Sequence, residues 1–194
     1  GNALEVAEAI AGLRGTGPVD LMALTYALGV EMLLLSGIDT DAGRARHRLE
    51  HTVTSGAAVE LLAKVVAAQG GDAGMIEHPD RLPRAPLQHD VVARDDGVVR
   101  QVEPRAIGRA IIDLGGGRRV ASDHVLPDVG IEVPVKPGDR VRRGDRLAVV
   151  PARSDDAARA AEKVLRDAII IADGAGEVLP LIAWRVTADG RTPY

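Results

Sequence analysis

The most glycine-rich segment of the chain, Gly115 to Arg119, has the composition of a loop that could bind an anion. Consecutive glycines let backbone N–H groups point toward one ligand, and the two arginines add positive charge. The segment lacks the Lys-Ser/Thr ending of a P-loop and the glycine spacing of a dinucleotide-binding loop. A plain connection between a helix and the next strand explains the same residues, and the sequence favours that interpretation while leaving the anion site open.

The five histidines share no metal-ligand spacing. His47 and His51 fall on one helix face, but Glu50 is not placed as in the zinc motif His-Glu-x-x-His. Solvated side chains on a helix surface are the favoured interpretation. The run Ser122–His124 combines three catalytic residue types, yet a catalytic triad requires convergence in space and not adjacency in sequence. We interpret this run as chance composition.

The segment from Val135 to Val150 contains the pattern Gly-Asp-x-Val-x-x-Gly-Asp-x-Leu, followed by an apolar stretch. The pattern resembles the hairpin of lipoyl and biotinyl carrier domains, whose turn glycines adopt backbone angles that strain other residues. In a working carrier this strand leads to a lysine that takes the prosthetic group. Here the chain continues from Pro151 as Pro-Ala-Arg-Ser, without a lysine. The pattern therefore predicts a carrier-like fold without the carrier function.

Helical periodicity dominates the chain up to Gly71. The apolar spacing predicts helices over Ala3–Leu13, Val19–Ser36, Asp39–Thr54 and Ala57–Gln69. Asn2 has the type of a helix N-cap, and Glu5 completes a capping-box arrangement. Because the helical pattern begins next to Gly1 and no initiator Met precedes it, we interpret the chain as part of something longer.

Prolines between Met75 and Pro86 predict a linker, after which the apolar period changes toward two. Asp95-Asp96-Gly97 predicts a tight hairpin turn between the first two strands. The predicted strands are Leu87–Ala93, Gly97–Val102, Val129–Val135, Arg146–Val150 and Val178–Val186, and the predicted helices are Glu103–Leu114 and Ala157–Ile171. We predict an α+β fold with a helical segment over residues 1–74, a linker over 75–86 and a β-rich domain over 87–194 that resembles a barrel-sandwich hybrid.

Composition excludes several classes of function. The net charge of −4, with arginines interleaved among acidic residues, argues against nucleic-acid binding. The lack of cysteine excludes disulfides, thiolate catalysis and Cys-ligated zinc. The apolar segment Leu21–Leu35 is too short and too polar to span a bilayer, and no signal segment opens the chain. These observations predict a cytoplasmic protein without nucleic-acid or membrane partners.

Two groups of residues, in the same order, resemble the thymidine and pyrimidine-nucleoside phosphorylases. The first is Gly1-Asn2-Ala3-Leu4-Glu5-Val6-x-Glu8-Ala9-Ile10; the second runs through Gly116-Gly117-Arg118-Arg119, Ser122-Asp123, Val129-Gly130 and Lys136-x-Gly138-Asp139-x-Val141-x-x-Gly144. The similarity extends from Gly1 to about Val186. It implies a homodimer in which a helical domain and an α/β domain flank a cleft, with residues 1–74 belonging to the α/β domain. The implied reaction is reversible phosphorolysis of a pyrimidine nucleoside to the free base and (deoxy)ribose 1-phosphate.

The resemblance also implies which site residues to expect. The family's phosphate loop and base-binding residues lie upstream of the first matching group, so no catalytic residue and no cofactor-binding residue is assigned on this chain. The family's monovalent cation, potassium, is held mainly by upstream backbone carbonyls and by one carboxylate, which corresponds to Glu8. A hard carboxylate oxygen suits such an ion. The residues alone favour an exposed first-turn glutamate stabilised by the helix dipole, whereas the resemblance favours the cation ligand. For Gly115 to Arg119, the resemblance implies a loop at the domain interface that moves as the cleft closes.

Two hypotheses about function follow. The favoured one is a fragment of a cytoplasmic, homodimeric pyrimidine-nucleoside phosphorylase that is inactive without its catalytic half. The alternative is a non-catalytic binding or scaffold module that uses the carrier-like β domain, which lacks the modifiable lysine, for protein contacts. The length of the full coding sequence discriminates between them.

Overall fold

The helices predicted for the first part of the chain are present in the computed structural model, which describes residues 2–174 and 178–194. They are α1 (Ala3–Leu13), α2 (Val19–Leu35), α3 (Ala42–Thr54) and α4 (Ala57–Ala68). Glycines in the left-handed region follow them, as at Gly70, whose φ is 80°. There the Gly70 N–H donates to the Ala67 carbonyl at 3.0 Å and the Gly71 N–H to the Val66 carbonyl at 2.9 Å. This Schellman arrangement ends α4 locally, which is why sequence signals place the boundary well.

Helices α2 and α3 approach each other closely at a glycine. A Cβ atom on Gly29 would lie 2.8 Å from Cδ1 of Leu49, so a larger residue there would displace the Leu49 side chain. The Asp41 side chain caps α3 by accepting a hydrogen bond from the Arg44 N–H at 2.7 Å. Beyond α4, the predicted linker contains a short helix, α5 (Gly74–Glu77), and a 3₁₀ turn over Pro79–Arg81.

The second part of the chain mixes strands and helices, so the protein is an α+β structure. The elements are β1 (Leu87–Val92), β2 (Gly97–Val102), α6 (Pro104–Asp113), β3 (Arg140–Val141), β4 (Arg146–Ala152), α7 (Asp155–Ala168), β5 (Ile169–Ala172), β6 (Trp184–Thr187) and β7 (Gly190–Pro193). Pairing is antiparallel throughout, with sheets of order β1-β4, β3-β2-β5 and β6-β7. Within the described residues, none of these sheets closes into a barrel.

The hairpin predicted between β1 and β2 is wrong. β1 pairs with β4, whereas β2 pairs with β3 and β5. Gly97 is needed for another reason, because a Cβ atom there would lie 2.6 Å from Cγ2 of Ile171 on β5. The Asp96 carboxylate accepts a hydrogen bond from the Arg143 N–H at 2.8 Å. Asp96 and Gly97 therefore make contacts with distant segments and do not form a two-residue turn.

Most other predicted boundaries lie within three residues of the observed ones, and three predicted elements differ more. The predicted helix Ala157–Ile171 ends at Ala168, and its three isoleucines form β5, because consecutive β-branched residues favour a strand once a neighbouring strand is present. The predicted strand Val129–Val135 is reduced to one bridge between Glu132 and Val149. The predicted strand Val178–Val186 begins only at Trp184 within the described residues, and the strand after it, β7, was not predicted.

The chain divides into two compact units, one of Gly1–Val6 with Leu82–Val178 and the other of Ala7–Arg81 with Leu179–Tyr194. We call these the first and the second unit. The core of the first unit is aliphatic, and Val91, Val99, Val150 and Leu165 are fully buried in it. The division into residues 1–74, 75–86 and 87–194 stays a prediction. No described helix is both long enough and apolar enough to cross a bilayer.

Candidate functional site

The carboxylate predicted to bind a cation, Glu8, lies exposed on α1. Glu5, three residues earlier, is exposed as well, and this spacing puts both carboxylates on one helix face. Within the described residues, neither carboxylate has a hydrogen bond or an ion pair, and no three His, Asp or Glu side chains are grouped to hold a metal. Glu8 can therefore offer an oxygen ligand, but further ligands would have to come from elsewhere.

The capping box predicted at the start of α1 is wrong. Asn2 has a φ of 58°, in the left-handed region. Its side-chain amide donates hydrogen bonds to a distant segment and does not cap the helix. Its Nδ2 atom lies 2.8 Å from the Gly116 carbonyl oxygen and 3.3 Å from that of Leu126. The Asn2 carbonyl still accepts the first helical hydrogen bond, from the Val6 N–H at 3.0 Å. Asn2 thus begins α1 while binding a segment distant in sequence.

The glycines of the Gly115–Arg119 segment end α6. The Gly115 N–H donates to the Ile112 carbonyl at 2.9 Å, and the Gly116 N–H donates to the Ile111 carbonyl at 2.8 Å. With a φ of 92° at Gly115, this is a Schellman arrangement. Both N–H groups are consequently committed to helix carbonyls and do not point at an anion. The interpretation of this segment as a connection fits the geometry better than the anion site does.

The arginines after these glycines lie on the surface. Arg119 forms an ion pair with Asp113, and its backbone N–H donates to the Asp123 carboxylate at 2.8 Å. The Val120 N–H donates to the same carboxylate at 3.1 Å. These two backbone hydrogen bonds, led by that from Val120, lower the pKa of Asp123. Asp123 therefore fixes the turn that follows the glycines, which accounts for it without a catalytic role.

One histidine takes part in a polar cluster that sequence reasoning missed. His89 Nε2 on β1 lies 2.7 Å from Glu162 Oε2 on α7. Arg166, one turn later on α7, binds the other oxygen of Glu162 and donates to the Val92 carbonyl at 3.2 Å. The hydrogen bond from His89, followed by that from Arg166, lowers the pKa of Glu162. The cluster ties α7 to β1, and no local signal could reveal a pair 73 residues apart.

The carrier-like segment forms two turns of the same design. In the first, the Asp139 carboxylate accepts from the Lys136 N–H at 2.8 Å, with φ at Gly138 of 99°. In the second, the Asp145 carboxylate accepts from the Arg142 N–H at 2.8 Å, with φ at Gly144 of 92°. The repeated Gly-Asp pairs are thus explained by turn geometry alone. β4 follows without a lysine, as the sequence indicates.

Sequence reasoning also missed a buried carboxylate ahead of α3. Asp39 is only 3% exposed. Its Oδ1 accepts from Arg44 Nε and from the Thr40 N–H, both at 2.8 Å, and from the Asp41 N–H at 3.2 Å. Arg48 lies 3.7 Å from Oδ2. The hydrogen bond from Arg44 is the main reason that the pKa of Asp39 falls to about 2. The cluster explains how the turn into α3 is held.

Comparisons with known proteins agree with these motifs. Residues 98–172 match the family model of the pyrimidine nucleoside phosphorylase C-terminal domain. The chain is 40% identical over 188 residues to thymidine phosphorylases of Burkholderia cenocepacia and Burkholderia orbicola, which covers 96% of this chain and 43% of each relative. A thymidine phosphorylase from another Burkholderia orbicola strain is 40% identical over 184 residues, or 94% of this chain and 42% of the relative. The chain thus spans less than half the length of these curated relatives.

Proposed function

We propose that the chain belongs to the family of pyrimidine-nucleoside and thymidine phosphorylases and that it serves as the C-terminal part of an enzyme that performs reversible phosphorolysis of a pyrimidine nucleoside. The products are the free base and (deoxy)ribose 1-phosphate, and phosphate is a substrate. The observation that carries the proposal is the 40% identity to thymidine phosphorylases over 96% of the chain. In the reaction phosphate itself is the nucleophile, so this chain needs no activated serine or cysteine.

The contribution that we propose for this chain is structural support and one cation ligand. Glu8 is an exposed carboxylate without a described partner, so it is available to a monovalent cation such as potassium. The bound ion would supply fixed positive charge and would order the oxygen groups gathered around it. The remaining ligands would be backbone carbonyls from the rest of the enzyme. The family's phosphate- and base-binding residues likewise have no counterpart that we assign here.

The proposal extends to the fold and to assembly. Residues 87–194 would form a domain of the barrel-sandwich type, and residues 1–74 would complete the α/β domain of the enzyme. The enzyme would be a cytoplasmic homodimer. In support, α2 leaves Leu28, Met32 and Leu35 between 58% and 86% exposed, as expected of a helix that packs on further polypeptide.

Phosphate-dependent release of thymine from thymidine tests the proposal. We expect release by the full-length enzyme and none by the 194-residue chain alone, because the phosphate and base sites would be missing. Omission of phosphate is the control. Release by the chain alone would show that it holds a complete site. A full-length protein that cleaves neither thymidine, uridine nor deoxyuridine would instead favour the non-catalytic scaffold.

A further inference from the structure

The two groups of residues that resemble the family meet at the side chain of Asn2. Asn2 belongs to the first group and Gly116 to the second, 114 positions later. The two N–H groups of the Asn2 amide have two acceptors, because Nδ2 lies 2.8 Å from the Gly116 carbonyl oxygen and 3.3 Å from that of Leu126. Next to it, the Ala3 N–H donates to the Pro127 carbonyl at 3.1 Å. All of these residues belong to the first unit.

Gly116 and Leu126 stand at the two ends of one surface loop. The Leu126 N–H donates to the Gly115 carbonyl at 2.9 Å, which joins the two ends directly. The approach is close, since a Cβ atom on Gly115 would lie 2.9 Å from Cδ1 of Leu126. A compact loop whose ends lie together in this way is an Ω-loop, a class that frequently carries function. We call the joined ends, Gly115–Gly116 and Leu126–Pro127, the neck of the loop.

The loop has hydrogen bonds of its own beyond the neck. The Asp123 carboxylate accepts from the Arg119 N–H at 2.8 Å and from the Val120 N–H at 3.1 Å. The Asp123 N–H donates to the Val120 carbonyl, also at 3.1 Å. Three polar side chains of the loop are exposed to solvent: Arg118, Ser122 and His124. The turn at Asp123 thus gives the loop its internal shape, whereas the neck determines where the loop lies on the first unit.

The residue type at position 2 is restricted by two conditions. The φ of 58° lies in the left-handed region, which glycine, asparagine and aspartate adopt most readily. Glycine has no side-chain donor, and an aspartate carboxylate would face two carbonyl oxygens without a proton to share. Of these three types, asparagine alone satisfies both the backbone angle and the two acceptors.

We infer that Asn2 is a positioning residue that clips the neck of the loop and thereby holds the exposed Arg118, Ser122 and His124 in one fixed place on the first unit. A loop that is ordered in advance loses less conformational entropy when its side chains bind a ligand. The first matching group supplies the clip and the second supplies the loop, which gives both groups one structural reason. The clip lies wholly within the first unit and requires neither a bound ion nor phosphorolysis.

The first experiment is hydrogen exchange, measured by NMR on the 194-residue chain. Asn2→Asp keeps the shape of the side chain and replaces the donor by an oxygen, and Asn2→Gly keeps the backbone angle without a side chain. In both variants, exchange at the Leu126 amide should accelerate about tenfold, because the hydrogen bonds that close the neck are lost. The amides of Gly115 and Gly116, which donate to carbonyls of α6, should not change. Glu5→Gln is the matched control, since this exposed side chain lies in the same segment without a described hydrogen bond.

The Leu126 amide distinguishes a clip from a residue that only begins α1. In the second case, substitution of Asn2 would accelerate exchange at Val6, whose N–H donates to the Asn2 carbonyl at 3.0 Å, and would leave Leu126 unchanged. That result would overturn the inference. Equal acceleration at Leu126 and Gly115 would show a general loosening of the first unit and would overturn it as well.

The second experiment is limited digestion of the same proteins with trypsin. Cleavage after Arg118 and Arg119 should be about tenfold faster in both Asn2 variants than in the wild type, because cleavage follows the population of the open loop. Cleavage after Arg142 and Arg143, in an exposed turn of the same unit, is the internal control and should not change. Unchanged cleavage of the loop, or equal acceleration at both places, would contradict a clip at the neck.

Discussion

Three glycine-to-alanine substitutions in the first unit should have different effects for different physical reasons. Gly108 lies on the exposed face of α6, and a Cβ atom there would have no neighbour within 4 Å. Gly108→Ala should therefore raise the free energy of unfolding by about 1 kcal/mol, because alanine has the higher helix propensity. Gly144 is equally open but has a φ of 92°, so alanine should cost about 1–2 kcal/mol in backbone strain. Gly97 lacks a positive φ, and alanine there should cost about 1–3 kcal/mol through its contact with Ile171, 2.6 Å away.

Urea denaturation followed by far-UV circular dichroism is the assay. The first unit contains no aromatic residue, so fluorescence of Trp184, which lies in the second unit, reports separately on that unit. A double-mutant cycle identifies the cause at Gly97. In the Ile171→Ala background, which removes the clashing methyl group, the cost of Gly97→Ala should shrink, while that of Gly144→Ala should not.

Two results would refute this reasoning. An equal cost of Gly97→Ala in both backgrounds would mean that the close approach of β2 and β5 is not what requires glycine. A neutral Gly144→Ala would mean that the second turn tolerates an ordinary backbone conformation and that the repeated Gly-Asp pattern needs another explanation.

Two further predictions concern single side chains. The pKa of Asp39 is lowered to about 2, so its carboxylate stabilises the second unit above pH about 4 and loses that effect as the pH falls toward 2. In urea unfolding followed by Trp184 fluorescence, the midpoint of the wild type should therefore fall over this pH range, and that of Asp39→Asn should fall less. An equal fall in both proteins would contradict the prediction. Leu165→Ala should lower the free energy of unfolding of the first unit by about 2–5 kcal/mol, measured by urea unfolding followed by circular dichroism, because the side chain is 0% exposed. A loss below about 1 kcal/mol would show that the core collapses around the gap.

The sequence by itself determined the local features of this protein. The start and end of α4, the start of α2 and the whole of β2 follow from residues within a few positions of each boundary. Helix hydrogen bonds and glycine C-caps join neighbours in the chain, so their signals are readable without the fold. The part of the family resemblance that runs from Lys136 to Gly144 was readable for a related reason, because glycines and aspartates of two similar turns stand at fixed spacing.

The tertiary structure decided everything that joins distant segments. Asp-Gly before β2 is typical of a hairpin, and only the approach of Ile171 from β5 shows why glycine stands at Gly97. Asn2 has the type of a helix cap, yet the carbonyls of Gly116 and Leu126, which no local pattern announces, take its amide. Arg185 likewise binds Glu31 with hydrogen bonds of 2.6 and 2.9 Å across 154 positions. Such contacts form only where the folded backbone brings complementary groups together. The type of a side chain alone is compatible with several partners, and the fold selects one of them.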